Sequence, residues 1–160
     1  MKSGSDIKIF IVGGGEIGRS LAGQLSRDGY ELTLIDRNQD VVKSLSNSFD
    51  IICFEGNGAS YTTLQELSAG KADIWIAVTE SDELNILSCM TAHMMGAKHT
   101  IARIRDVDYA RQNHFYKDKL GLSMIINPEL ATALEEAYPD CDVELNAGGQ
   151  PIYYYVISVE

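Results

Sequence analysis

Hydrophobic and polar positions along this chain follow two alternating rhythms. Short, nearly unbroken apolar runs give way to longer stretches in which apolar residues recur three or four apart. The runs Ile7–Val12, Glu31–Asp36 (ELTLID), Asp50–Phe54, Asp73–Val78 (DIWIAV), His99–Ile104 and Ser123–Ile126 predict six strands. The intervening spacing predicts helices over Glu16–Arg27, 39–48, 60–68, Asp82–Met95, 108–119 and 128–137. Gly29 ends the first helix. Val41, Val42 and Leu45 form the inward stripe of the second, and Leu64 and Leu67 mark the third. In the long fourth helix, Leu84, Leu87, Thr91 and Met94 have inward spacing, and Thr79 with Asp82 reads as its capping box. Pro128 opens the last helix at the first helical position, which proline favours.

Strands separated by helices pair in parallel through crossover connections, with helices on both faces of the sheet. Strands rich in Ile, Val and Ala fit burial on both sides. The expected fold is therefore α/β: a Rossmann-type, doubly wound, parallel six-stranded sheet over residues 1–139. Beyond Pro139 the style changes. DVELNAGGQPIYYYVISVE reads as a strand, a glycine turn at 147–149 and a second strand, a short C-terminal β extension over 140–160. The last strand is apolar on both sides, with Tyr153, Tyr155, Ile157 and Val159 on one and Ile152, Tyr154 and Val156 on the other. It reads either as an interface or the start of a second lobe, or as an edge strand packed on its own domain.

A chain of 160 residues holds one full core and is short for two. Its net charge of −10, with no cluster of Lys and Arg, argues against nucleic acid as a partner. Cys53, Cys89 and Cys141 match no zinc or redox spacing and read as buried free thiols, and His93, His99 and His114 form no ligand pair, so no metal is expected. No apolar run reaches the length of a membrane span, and the N-terminus MKSGSD lacks a signal-peptide core. The expectation is a cytoplasmic domain without direct membrane insertion.

Composition leaves open what the first loop holds. Residues 9–25 read IFIVGGGEIGRSLAGQL, an apolar strand that stops at three glycines before a helix begins. Gly13-x-Gly15-x-x-Gly18 stands where the dinucleotide fingerprint requires it. Gly13 permits the tight turn, Gly15 lets a pyrophosphate approach the backbone, and Gly18 lets the helix pack closely; Gly14, Glu16 and Ile17 complete the loop. The helix N-terminus offers unpaired N–H groups and about half a positive charge to phosphate. Asp36 ends the second strand, 18 residues beyond Gly18, where a carboxylate accepts hydrogen bonds from ribose hydroxyls. A 2′-phosphate beside it would meet about 4 kcal/mol of repulsion per charge pair at ~4 Å. NAD(H), ATP or ADP is thus expected over NADP(H), with Arg37 softening the contrast or offering a flat surface to adenine.

Other loops at the strands' C-terminal ends reach the same crevice. Asn57 and Gly58 follow the third strand, where Asn57 either bonds adenine or is a plain turn residue. Val78 and Thr79 end the fourth beneath the ribose and phosphates. Arg103, in IARIR on the fifth strand, needs a phosphate or a carboxylate partner because a buried guanidinium is expensive unpaired. No Tyr-x-x-x-Lys pair exists, and no Cys–His or His–Asp arrangement follows from spacing. The sheet consumes the chain to about residue 138, so a substrate pocket has no obvious place to form. The nucleotide reads as a signal. A small NAD-dependent oxidoreductase remains the alternative, and a redox-sensing repressor would need a basic DNA-reading helix that this acidic chain lacks.

Together, IVGGGEIGRSLAGQL, ELTLIDRN, FEGNGASYTTLQELSAGKADIWIAVTESDELNILSC and TIARIRDVDY resemble the N-terminal RCK/KTN (TrkA-N) domain of TrkA-type potassium-uptake regulators, from Ile7 to Pro139. AVTESDELN and IARIRDVDY are more specific than the glycine fingerprint. The resemblance implies a non-enzymatic gating component, forming dimers and larger rings at the inner face of the membrane, on an integral-membrane potassium transporter or channel. It carries phosphate contacts onto Gly13–Gly18 and Arg103, ribose onto Asp36, adenine onto Asn57 and Gly58, and the nucleotide's underside onto Val78 and Thr79. Arg19 matches a position whose side chain can reach a terminal phosphate, including one on a neighbouring protomer. Many relatives carry Asp where Asn57 stands, a departure at the adenine contact. Arg19 and Arg103 are best suited to feel a charge difference between ligands, with helix 128–137 and the Tyr-rich strand transmitting it.

Overall fold

The computed structural model describes residues 6–127; the predicted helix 128–137 and the extension over 140–160 lie outside them. Six strands run in chain order: β1 (Lys8–Val12), β2 (Glu31–Asp36), β3 (Ile52–Glu55), β4 (Ile74–Ala77), β5 (His99–Arg103) and β6 (Met124–Ile126). They form one sheet in the order β3-β2-β1-β4-β5-β6, and every neighbouring pair is parallel. The helices are α1 (Glu16–Arg27), α2 (Gln39–Ser48), α3 (Tyr61–Glu66), α4 (Asp82–Met95), α5 (Val107–Arg111) and α6 (Asn113–Lys119). This is the doubly wound α/β architecture that the alternating pattern predicts. One predicted helix, 108–119, is divided at Gln112 into α5 and α6.

Alternation along each strand sends successive side chains to opposite faces. Ile9 and Ile11 join Leu21, Leu25, Leu34 and Leu45 in a core under α1 and α2. Phe10 and Val12 join Leu64, Trp75, Cys89 and Ala92 in the second core, under α3 and α4. Phe10 and Trp75 stack with ring centroids 5.1 Å apart. Strand β3 is an edge, and its Ile52 is 59% exposed.

Helix α4 departs from expectation in two ways. Its cap is Ser81, whose hydroxyl accepts from the Leu84 N–H at 3.1 Å, and not Thr79. Its buried face consists of Asp82, Asn85, Ser88, Cys89 and Ala92. Leu87 and Met94, expected inward, are 51% and 83% exposed. The reason is that this helix buries polar side chains which satisfy groups of neighbouring loops, while Leu84, Ile86 and Met90 pack against the core only in part and Leu87 and Met94 are left outside.

Travelling out from β1, the chain first fills one side of the sheet and then crosses to the other at β4. At such a switch point the loops leaving the two strands diverge and open a crevice at their C-terminal ends. That geometry positions the site.

Candidate functional site

A cleft of about 510 Å³ opens over this switch point, lined by Gly13, Gly15, Glu16, Ile17, Asp36, Asn38, Val41, Val78, Thr79, Glu80 and Arg103. Each glycine of its floor has its own reason. Gly13 has φ +107°, and a Cβ there would come within 3.0 Å of the Thr79 nitrogen, so the β1 loop lies directly on the β4 loop. A Cβ at Gly14 would strike Val41 and Leu45 of α2, and one at Gly18 would lie 1.7 Å from the Gly13 carbonyl oxygen. Gly15 differs: a Cβ there would meet nothing within 4 Å. Its φ of −71° suits any residue, and it caps α1 with no side-chain hydrogen bond to the first turn. The protein's own packing leaves the Gly15 face open to the cleft, as a bulky group lying against the backbone requires.

Asp36 closes the opposite wall. Its Oδ2 accepts from the Gly14 N–H at 2.7 Å and its Oδ1 from the Asn38 N–H at 2.8 Å. The carboxylate thereby fastens the glycine loop to the end of β2, and each oxygen keeps a lone pair for an outside donor. Asn38 caps α2 by accepting from the Asp40 N–H at 2.9 Å.

On the β4 side, Asn85 of α4 is fully buried and uses its whole amide. Its Oδ1 accepts from the Thr79 N–H at 2.9 Å and hydroxyl at 2.7 Å; its Nδ2 donates to the carbonyls of Thr79 at 3.0 Å and Arg103 at 2.9 Å. Asp82 does the same for the next loop, accepting from the Arg105 N–H at 3.0 Å and the Asp106 N–H at 2.8 Å. Arg103 itself is 7% exposed, and its Nη1 donates to the Thr79 carbonyl at 3.5 Å. Together these bonds fix Thr79 and the ends of β4 and β5 to one helix.

Of the residues predicted from sequence, the cleft brings together Gly13, Gly15, Glu16, Ile17, Asp36, Val78, Thr79 and Arg103. Gly14 and Gly18 lie behind it as packing positions. Arg37 is exposed and outside the lining. Asn57 bends its own turn, its Oδ1 accepting from the Ala59 N–H at 3.0 Å. Gly58 is buried, a Cβ there would collide with Val12, and its carbonyl accepts from the Ser88 hydroxyl at 2.5 Å. Arg19 is turned away from the cleft: it donates to the Ser44 Oγ at 3.1 Å and the Ser48 Oγ at 3.0 Å, with its guanidinium 5.7 Å from the Phe49 ring centroid. Sequence reasoning did not single out Asn38, Glu80 or Asn85, and it placed Val41 in the core alone; the SDELN stretch was the available signal for Asn85. Among the described residues no group of His, Cys, Asp and Glu is arranged to hold a metal ion, and no helix is long and apolar enough to cross a membrane.

In comparison with known proteins, residues 9–128 match the family model described as the TrkA-N domain. A second model, for the C-terminal part of FakA-like fatty acid kinase components, matches residues 123–160, almost all outside the described part. The Trk system potassium uptake protein TrkA homolog of Methanothermobacter thermautotrophicus is 33% identical over 125 residues, covering 78% of this chain and 56% of the relative. The chain thus spans little more than half of that relative's length. Among solved structures, the TrkA-N domain of the inner membrane protein ybaL from Escherichia coli superposes with TM-score 0.73 at 18% identity, over 84% of this chain and 96% of that one. The GsuK channel bound to NAD gives TM-score 0.68 at 19% identity, over 84% and 24% respectively. At such identities the structural likeness speaks for the fold.

Proposed function

Because the chain belongs to the TrkA-N domain family, we propose that it is a regulatory module of potassium transport, binding NAD(H) or ATP/ADP and reporting the bound state to a pore. One observation carries the nucleotide reading. Among Gly13, Gly14, Gly15 and Gly18, Gly15 alone meets no steric demand from the surrounding protein. What a side chain there would obstruct is the approach of a ligand to the uncapped first turn of α1.

In this reading the pyrophosphate lies against Gly15 and the N–H groups of Glu16 and Ile17, and the ribose hydroxyls donate to Asp36. Val78 and Thr79 support the nucleotide from below, Arg103 meets its charge, and Gly13, Gly14 and Gly18 hold the loop in shape. Asn57, Gly58 and Arg37 flank the adenine end. Arg19 contacts a terminal phosphate only after leaving Ser44 and Ser48, or on a neighbouring protomer. The nucleotide is sensed and not consumed. The module works as a homo-oligomer, a dimer or larger ring, at the inner face of the membrane against an integral potassium transporter or channel. The name of its relative and the GsuK channel structures, one bound to NAD and one to ADP, support that assignment.

A ligand moves such an assembly only through unequal affinity for two of its shapes. The test is a calorimetric titration of the full chain with NADH, NAD⁺, ATP and ADP, followed by small-angle scattering with and without ligand. Binding of at least one of them, with a nucleotide-dependent profile, is expected. Absence of affinity for all four, or steady oxidation of NADH with a carbonyl substrate, would overturn the reading.

A further inference from the structure

The nucleotide cleft carries an excess of negative charge on its own walls, and this bears on which ligand it takes. Three acidic residues line the cleft, Glu16, Asp36 and Glu80, against one basic residue, Arg103. Glu16 matters most because of where it stands. It is the first residue of α1 and is exposed to the cleft. The helix N-terminus is the feature that attracts phosphate, through its free N–H groups and its partial positive charge. A carboxylate at that spot already satisfies part of the same attraction, so each further negative charge brought there gains less.

Neighbouring cations offset this excess unequally along the cleft. Arg19 follows the fingerprint directly but lies on Ser44, Ser48 and Phe49. Arg105 stays beside Glu80, its Nη2 donating to the Glu80 backbone carbonyl at 2.7 Å, and offsets part of that carboxylate's charge, which leaves Glu16 the larger share. Asp36 is fixed by two backbone donors at the ribose end and stays in place as a second anion.

We propose that Glu16, assisted by Glu80, makes this cleft select a dinucleotide of low negative charge, NAD(H), over nucleotides that end in a free phosphate. The proposal rests on the nucleotide-binding reading above and specifies its ligand. In a dinucleotide both phosphates are esterified on each side, so each carries one charge. ADP and ATP end in a phosphate with a second ionisable oxygen, and repulsion grows with that charge at a given distance. Both carboxylates stand at the solvent-facing rim and are screened, so the discrimination is moderate, about tenfold, and weakens with salt.

The experiment is calorimetry of the full chain with NADH, NAD⁺, ADP and ATP in low-salt buffer containing a chelator, repeated with magnesium. Wild type is compared with Glu16→Gln, Glu80→Gln and the double variant, each checked for native circular dichroism. Wild type is expected to bind NADH about tenfold more tightly than ATP without magnesium. The double variant is expected to raise the ratio of ATP to NADH affinity by about tenfold, with Glu16→Gln giving the larger share. Magnesium, which neutralises part of the triphosphate, is expected to narrow the wild-type gap. Equal affinities for ATP and NADH in the chelator arm, or a ratio unmoved by both substitutions, would overturn this selectivity while leaving nucleotide binding intact. Failure of all four nucleotides to bind would instead remove the underlying reading and the selectivity with it.

Discussion

Gly15 and Gly18 look alike in the fingerprint but answer to different neighbours. A methyl group at Gly18 would lie 1.7 Å from the Gly13 carbonyl oxygen, so the helix or the loop must move. Gly18→Ala is therefore expected to destabilise the fold by about 2–4 kcal/mol in chemical denaturation. A methyl group at Gly15 meets no protein atom within 4 Å. Gly15→Ala is expected to leave stability within about 1 kcal/mol of wild type and to weaken nucleotide binding by roughly tenfold or more. The opposite pairing of outcomes would show that Gly15 serves packing. Asp36→Ala has both effects, because the side chain holds Gly14 and Asn38 by their N–H groups. A stability loss of about 1–3 kcal/mol is expected from the two freed donors, in addition to reduced affinity. At this scale the sequence revealed eight of the residues that line the cleft, but not Asn38 or Glu80, and not what each one does there. Asn57 is drawn into its own turn and Arg19 onto two serines of α2, and both contacts depend on side-chain direction, which spacing does not record.

Helix α4 is the element whose character was least readable. Apolar periodicity picks out Leu87 and Met94, yet the face toward the sheet presents Asp82, Asn85 and Ser88. A buried amide or carboxylate reads as solvent-facing until its partners are known, and here the partners lie on loops distant in sequence. Asn85 ties Thr79 to Arg103 with four bonds, two accepted and two donated. Asn85→Asp keeps both acceptor functions and loses both donors, leaving a buried carboxylate facing two carbonyls. It is expected to lower the unfolding free energy by about 2–4 kcal/mol and to do so less at pH 4 than at pH 7, because protonation restores one donor. An equal loss at both pH values would sever the link to the amide. One turn further along the buried face, Cys89 is packed at 0% exposure and burial pushes its thiol up to about 12. With its pKa raised, almost no thiolate exists near neutrality. Peptide mapping after treatment with a thiol reagent at pH 8 is expected to find Cys89 unmodified in the native chain and modified once unfolded.

For the molecule as a whole, strand and helix order was legible because parallel strands buried on two faces leave unbroken apolar runs. Edge strand β3 follows the same pattern with Ile52 in the open, so the sequence did not mark it as an edge. A ligand that binds the folded state alone raises its stability by about 2.7 kcal/mol at a hundredfold excess over Kd. For a domain of this size, saturating NADH is expected to raise the melting temperature by roughly 5–10 °C. A scan that does not move at saturation would contradict the calorimetric expectation. An indole also lies at the seam where β1 pairs with β4. Trp75, the chain's sole tryptophan, is stacked on Phe10 and donates at 2.9 Å to the Ser88 hydroxyl, which in turn donates to the Gly58 carbonyl. The protein therefore contains its own fluorophore, wired to the turn that follows β3. Its emission offers a label-free optical record of any rearrangement there, in stopped flow as readily as at equilibrium.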